Sequence, residues 1–189
     1  MRVVAGEYRS RLLSAPRGME TRPTSDRLRE TLFNVIAPRI EGARFVDLYA
    51  GSGAVGIEAI SRGAEFVWFA ENAPAAAKAI RENLAVLKIS SGCMVEERSA
   101  MALLEGFAKR GTEVDLIFLD PPYEAEVEYA RILEFLGSVR GQALLSEGAR
   151  VIAEHRSKTE LLEGYGALER VRVLKQGDAA LSFYAVKPA

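Results

Sequence analysis

A regular alternation of apolar runs with amphipathic stretches, starting at residue 44, restricts the fold more than any other feature of the chain. Five apolar runs have the length and composition of buried strands, and they lie at 44–49, 66–70, 94–97, 114–119 and 149–154. Because strands joined by helices run parallel with right-handed crossovers, this pattern predicts an α/β fold with a mostly parallel sheet.

Helical periodicity occupies the stretches between these runs. The predicted helices lie at 53–62, after Asn72 and Pro74, at 101–109 and around 127–136. The end of the chain differs, because apolar stretches at 168–174 and 181–186 flank a Gln-Gly-Asp turn. They predict a C-terminal antiparallel hairpin, which brings the expected sheet to seven strands.

The first forty residues precede this alternation and form a separate prediction. Strand-like pieces at 2–5 and 8–13 predict a small hairpin. Ser25 has the character of a helix N-cap with Asp26 in the first turn, and Pro38 is predicted to stop that helix. The chain is therefore divided into an N-terminal hairpin-plus-helix extension (1–40) and a main domain (41–189).

Charge and cysteine content narrow the class of protein. The 189 residues carry a formal charge of −1, yet five arginines and only two acidic residues lie in the first 22. A single cysteine, Cys93, excludes an intramolecular disulfide, and no apolar run approaches membrane-spanning length. We therefore expect a monomeric cytoplasmic protein without a membrane segment. With His155 as the only histidine, we expect no metal site.

A glycine-rich stretch, residues 47–56, lies between the first strand and its helix. Gly51, Gly53 and Gly56 fit a dinucleotide-binding fingerprint, and Glu71 has the spacing of an acidic group that binds ribose hydroxyls. A nicotinamide cofactor would fit these features alone. Asp47, however, would repel a pyrophosphate and attract a cationic amino group. This combination favours S-adenosylmethionine (AdoMet), with simple turn capping by Asp47 and Glu71 as the alternative.

The motif Asp120-Pro121-Pro122-Tyr123 follows the fourth apolar run. Its prolines keep the backbone extended beyond the strand end, where ligands bind in open α/β sheets. The Asp120 carboxylate and the Pro121 carbonyl could accept the two N–H groups of a planar amine, and Tyr123 could stack on an unpaired or flipped base. The motif therefore predicts methylation of an exocyclic amine, without distinguishing guanine from adenine.

Together the glycine stretch and the Asp120 motif resemble those of class I AdoMet-dependent methyltransferases that act on exocyclic amines. The block from Arg22 to Asn34, with residues 2–6 and Arg9-Ser10-Arg11 before it, more specifically resembles the RsmD family of bacterial 16S rRNA guanine-N2 methyltransferases. That resemblance implies a Rossmann-like fold, guanine as the target, and ribosomal RNA, free or inside an assembling small-subunit particle, as the partner.

The implied site residues fall into three groups. The catalytic residues are Asp120, Pro121 and Tyr123. The cofactor-binding residues are Asp47, Tyr49, Ala50, Gly51, Ser52, Gly53, Glu71, Asn72, Ser99, Ala100 and Asp120. Positive charge points to RNA docking by Arg2, Arg9, Arg11, Arg22, Arg27 and Arg29.

Three other functions remain open at this point. They are adenine-N6 methylation of RNA or DNA, an NAD-dependent oxidoreductase, and an RNA-binding module without catalysis. The sequence also departs from the resembling family at Ala73 and Ser99, where acidic or amide side chains are common.

Overall fold

Residues 1–15, 25–122 and 126–187 are described by a computed structural model, and they form two compact units, Met1–Ser99 and Ala100–Ala189. The helices of the described residues are α1 (Asp26–Ile40), α2 (Ala54–Ser61), α3 (Pro74–Val86), α4 (Ala100–Arg110), α5 (Glu126–Gly137) and α6 (Val139–Gln142). The strands are β1 (Arg44–Leu48), β2 (Phe66–Ala70), β3 (Cys93–Glu96), β4 (Val114–Leu119), β5 (Leu145–Arg156), β6 (Gly164–Tyr165), β7 (Leu168–Gln176) and β8 (Ala179–Val186). The predicted boundary at residue 40 does not coincide with the division between the units.

The first unit contains a parallel sheet in the order β3-β2-β1. Its helix α3 begins with Pro74 at the first helical position, where a missing N–H costs nothing. One face of α3 lies in the core, because Ala77, Ile80 and Leu84 are buried. Residues that recur every three or four positions thus place one side of the helix in the core.

The second unit contains strands in the order β4-β5-β8-β7-β6. β4 and β5 are parallel, and the remaining pairs are antiparallel, which confirms the predicted C-terminal hairpin. β5 is longer than the predicted 149–154, because it pairs with β4 near its start and with β8 as far as Arg156. The two-residue β6 raises the number of strands above the predicted seven; it is too short to give an alternating sequence signal.

The structure confirms the predicted start of helix α1 and corrects its predicted end. The Ser25 hydroxyl accepts a hydrogen bond from the Leu28 N–H at 3.1 Å, as an N-cap should. The helix does not stop at Pro38 but continues to Ile40. A proline in the last turn removes only one intrahelical bond, and the extension buries Ile40 on the same face as Ile36.

The N-terminal hairpin, defined as residues 1–15, is folded differently from the prediction. Its two arms are joined by one isolated bridge, between Arg2 and Leu12, and not by paired strands at 2–5 and 8–13. Turns occupy the intervening residues, and Ser10 has φ 68°. The hairpin packs on α2 of the first unit, where Val3 is buried.

Candidate active site

The glycine loop, residues 49–53, connects β1 to α2 through a tight left-handed turn. Tyr49, Gly51 and Gly53 all have positive φ, at 64°, 54° and 77°. Gly53 caps α2, and its N–H donates to the Ala50 carbonyl at 2.7 Å. This conformation is costly for residues with a side chain, so glycine is favoured at positions 51 and 53.

Gly56 sets the distance between α2 and β2. A Cβ atom at this position would lie 2.2 Å from Cε1 of Phe69. Only glycine therefore lets the helix pack this closely on the strand. The first turn of α2 is thereby held next to the side chain of Asp47.

Asp47 is buried at the end of β1, and its Oδ2 accepts a hydrogen bond from the Gly56 N–H at 2.8 Å. Burial, reinforced by the negative charge of Glu71 and opposed by the Gly56 bond, raises the pKa of Asp47 from 3.8 to about 7. The folded chain therefore holds a proton that the unfolded chain releases, and its stability falls as the pH rises from 3.8 to about 7. A bound cation would stabilise the ionised form of Asp47 and so reduce this loss of stability.

Glu71 follows β2 and bonds the glycine loop directly. Its Oε2 accepts from the Gly51 N–H at 2.9 Å, and its Oε1 accepts from the Ala73 N–H at 2.8 Å. Each carboxylate oxygen can accept a second hydrogen bond, so a ribose hydroxyl could bind without displacing the loop. Glu71 thus both shapes the loop and presents acceptors beside it.

The other predicted cofactor residues differ in exposure. Ala50 and Ser52 are buried in the loop, whereas Asn72 and Ser99 are exposed, and Tyr49 is half-buried. Ala100 is buried at the start of α4, in the second unit. The structure therefore brings Asp47, Glu71 and the loop residues together in the first unit.

Asn83, on α3, was missed by the sequence analysis. Its side-chain amide donates to the Ser52 carbonyl at 2.9 Å and is itself buried. The sequence does contain a signal for Asn83, because this polar residue falls one helical turn after Ile80 on the apolar face of α3. A polar residue on a buried face needs hydrogen-bond partners, and the loop provides one.

Asp120 lies in the second unit, directly after β4. Its side chain is half-buried, Pro121 is buried and Pro122 is exposed. Tyr123 lies outside the described residues. The strand leading to this motif is almost completely buried, so its end is fixed by packing.

The arginines predicted to dock RNA do not form one group. Arg2, Arg9, Arg11 and Arg27 are exposed, and Arg22 lies outside the described residues. Arg29 is entirely buried, so its predicted role in docking RNA is wrong. Its guanidinium bonds Asp26 at 2.9 Å and the Arg2 carbonyl, and its Nε lies 3.6 Å from Glu58 Oε2.

The described part of the chain contains no group of three or more His, Cys, Asp or Glu side chains that could hold a metal ion. His155 is buried, with Nδ1 2.9 Å from the Arg156 carbonyl and Nε2 2.8 Å from the Ser182 hydroxyl. It is therefore a local hydrogen-bonding residue. No helix among the described residues is long and apolar enough to span a membrane.

Known proteins are similar over nearly the whole chain. The model of the family described as Conserved hypothetical protein 95 matches residues 1–185. YlbH of Bacillus subtilis (strain 168), provisionally named an rRNA methyltransferase, is 36% identical over 184 residues, which cover 97% of this chain and 98% of YlbH. Ribosomal RNA small subunit methyltransferase D of Escherichia coli (strain K12) is 39% identical over 147 residues, covering 77% and 72% of the two chains.

A solved structure agrees with these relatives. The structure of yhhF from Escherichia coli, provisionally described as a methyltransferase, is 31% identical with a TM-score of 0.84, and the match covers 100% of this chain and 99% of that one. The glycine loop, the Asp120 motif and the fold therefore occur in a chain that resembles YlbH and yhhF over nearly its whole length. This chain belongs to the Conserved hypothetical protein 95 family, which is the RsmD family of methyltransferases.

Proposed function

We propose that this protein transfers a methyl group from AdoMet to the exocyclic N2 amine of a guanine in 16S rRNA. The observation that carries the proposal is the buried Asp47 carboxyl, which accepts a bond from the first turn of α2 directly after the glycine loop. A carboxyl at this position suits a ligand with an ammonium group and opposes one with a pyrophosphate. Family membership and the names of the relatives support ribosomal RNA as the substrate.

The residues of the first unit fit AdoMet chemically. The Asp47 carboxylate would pair with the amino-acid ammonium, and the Glu71 carboxylate would accept hydrogen bonds from the ribose hydroxyls. The glycine loop would pass close to the ligand because no Cβ obstructs it at Gly51. Bound AdoMet supplies an electrophilic methyl group.

Asp120 and Pro121 would act on the target amine. The lone pair of an exocyclic amine is delocalised into the base, so the amine must be held for attack. The Asp120 carboxylate and the Pro121 carbonyl would accept its two N–H groups, orient the lone pair and stabilise the positive charge that develops on nitrogen. Positioning of this kind lowers the activation barrier by roughly 7 to 11 kcal/mol, so no strong base is needed. The extra proton on the methylated nitrogen leaves to solvent afterwards.

Asp47→Asn should weaken AdoMet binding by about 1.5 to 3 kcal/mol, the value of a hydrogen bond to a charged group. The asparagine oxygen can still accept the Gly56 N–H, so the loop should keep its shape. In the wild type, affinity should weaken as the pH falls below about 7, since Asp47 becomes protonated, and this dependence should vanish in Asp47→Asn.

Isothermal calorimetry at several pH values measures both effects, and Glu65→Gln, an exposed carboxylate before β2, is the matched control. A wild-type affinity that does not change between pH 5.5 and 7 would contradict the role of Asp47. Tight NADH binding without AdoMet binding would overturn the cofactor assignment.

Replacing Arg9 and Arg11 together with alanine should weaken RNA binding without affecting AdoMet binding. Both side chains are exposed on the N-terminal hairpin, where they are available to phosphates. The slope of the logarithm of the binding constant against the logarithm of the salt concentration should become shallower by roughly 0.7 to 0.9 for each lost phosphate contact. The control is the double variant of Lys88 and Lys109, which are exposed outside the hairpin. Equal salt slopes for the two double variants would show that the RNA docks elsewhere.

Nucleoside mass spectrometry of 16S rRNA, from cells with and without the gene, tests the whole proposal. Loss of one N2-methylguanosine, restored by the wild-type gene and not by Asp120→Ala, is the expected result. Unchanged methylation of that RNA would overturn the proposal. Loss of an N6-methyladenosine would instead favour the adenine alternative.

A further inference from the structure

Asn83 connects the N-terminal hairpin to the glycine loop through a single side-chain amide. Its Nδ2 donates to the Ser14 carbonyl at 3.0 Å and to the Ser52 carbonyl at 2.9 Å. Its Oδ1 accepts from the Ser14 N–H at 2.9 Å. Both N–H groups and one lone pair of the amide are therefore used. One N–H donates to the glycine loop, and the other N–H and the oxygen bond the hairpin.

A second contact joins the same two segments. The Ser52 hydroxyl donates to the thioether sulfur of Met1 at 3.3 Å, and the Met1 carbonyl accepts from the Leu13 N–H at 3.1 Å. Met1 and Ser14 belong to opposite arms of the hairpin. One arm thus contacts Ser52 directly through Met1, and the other arm is connected to Ser52 through the Asn83 amide.

The turn of the hairpin is hydrogen-bonded to α2, the helix that directly follows the glycine loop. Glu58 accepts the Val4 N–H at 2.7 Å and the Ala5 N–H at 2.9 Å. The Glu7 N–H donates to the Ser61 carbonyl at 2.8 Å. A Cβ atom on Gly6 would lie 1.8 Å from that carbonyl oxygen, so the two backbones touch.

We propose that Asn83 is a positioning residue that couples occupancy of the AdoMet site to the order of the N-terminal hairpin. A ligand that fixes the backbone at Ser52 also fixes the Asn83 amide, and the amide then fixes Ser14. The buried amide is hydrogen-bonded to both segments, so a movement of one segment is transmitted to the other. The fluctuations of the two segments are therefore linked. The inference rests on the proposed function, since it takes the ligand of the glycine loop to be AdoMet or its product.

The coupling has a consequence for substrate binding. Arg9 and Arg11 are exposed on the hairpin, so a hairpin ordered by the cofactor would present them in one arrangement. Linkage is reciprocal, so RNA bound to the hairpin would tighten cofactor binding by the same factor. The enzyme would then bind RNA best when it carries a cofactor.

Hydrogen–deuterium exchange of the full-length protein, with and without S-adenosylhomocysteine, tests the coupling. The Val3, Ser10, Leu13 and Ser14 amides, which are all hydrogen-bonded, report the order of the hairpin. In the wild type we expect their exchange to slow at least about fivefold when the ligand binds, the lower end of typical coupling factors. In Asn83→Ala the ligand should still bind, measured by calorimetry, and the slowing should be lost.

Two further variants complete the design. Glu82→Ala, an exposed neighbour on α3, should behave as the wild type. Asn83→Asp keeps the acceptor for the Ser14 N–H and loses both donors, so it should also lose the slowing, and it replaces Asn83→Ala if that variant does not fold. Ligand binding without slowing in the wild type, or equal slowing in the Asn83 variants, would overturn the coupling alone. No binding of the ligand at all would overturn the proposed function and the coupling with it.

Discussion

Asp120→Ala should lower the rate of methyl transfer at saturating substrate by at least about 100-fold, the usual loss when one preorganised electrostatic group is removed. The carboxylate is proposed to accept an N–H of the target amine, so its removal leaves the lone pair unoriented and the developing charge without stabilisation. AdoMet affinity should change little, since the partner of Asp120 is the substrate. Single-turnover transfer of labelled methyl groups to RNA, together with calorimetry, separates the two quantities.

Two variants sharpen this test. Asp120→Asn keeps an acceptor oxygen and loses the charge, so its rate should lie between those of the wild type and Asp120→Ala. Glu113→Ala removes an exposed carboxylate at the opposite end of β4 and should leave the rate unchanged. An Asp120→Ala enzyme with a normal single-turnover rate would rule out the proposed role.

Glu58→Ala should destabilise the protein by about 3 to 5 kcal/mol, the cost of breaking a buried ion pair by removing one partner. Glu58 is entirely buried, and it bonds Arg62 at 2.7 Å and lies 3.6 Å from the buried Arg29. Its loss also leaves the Val4 and Ala5 N–H groups without their acceptor. Within the described residues, the Nε and Nη1 atoms of Arg29 already have no hydrogen-bond partner, which makes the site sensitive to any further loss.

Urea unfolding measures this change in the free energy of unfolding. Glu82→Ala, in which an exposed carboxylate is removed from α3, should change it by less than about 0.5 kcal/mol. A second comparison, Glu58→Gln, keeps the size and one acceptor oxygen and should be less destabilising than Glu58→Ala. A loss below about 1 kcal/mol in Glu58→Ala would mean that the buried network contributes little to stability.

The fold was predictable because its signals are periodic. The extent of β2 and of β4 matches the predicted 66–70 and 114–119, and both are apolar runs bounded by polar or turn residues. The ends of β5 were not predictable, because they depend on pairing with two neighbouring strands. The apolar residues of the N-terminal hairpin predict two strands, whereas tertiary hydrogen bonds to α2 decide its shape.

The geometry of the candidate site was predictable where local sequence motifs form it. Asp47, Glu71 and the glycine loop come together as expected. The residues that sequence reasoning misjudged are polar groups on buried faces. Arg29 was assigned to RNA by its charge, although it lies one helical turn before Leu32 and Phe33 on the buried side of α1.

The anchoring of the N-terminal hairpin also bears on how the chain folds. The acceptor for the Val4 and Ala5 N–H groups is 54 and 53 residues further along, and the Asn83 partner of Ser14 is 69 residues away. The hairpin therefore leaves the ribosome well before the groups that hold it exist, and it can dock only after α2 and α3 have formed. Contacts of such long range are costly to close, so we expect this segment to join the structure late in folding. The surface proposed to recognise ribosomal RNA would then be the last part of its unit to be completed.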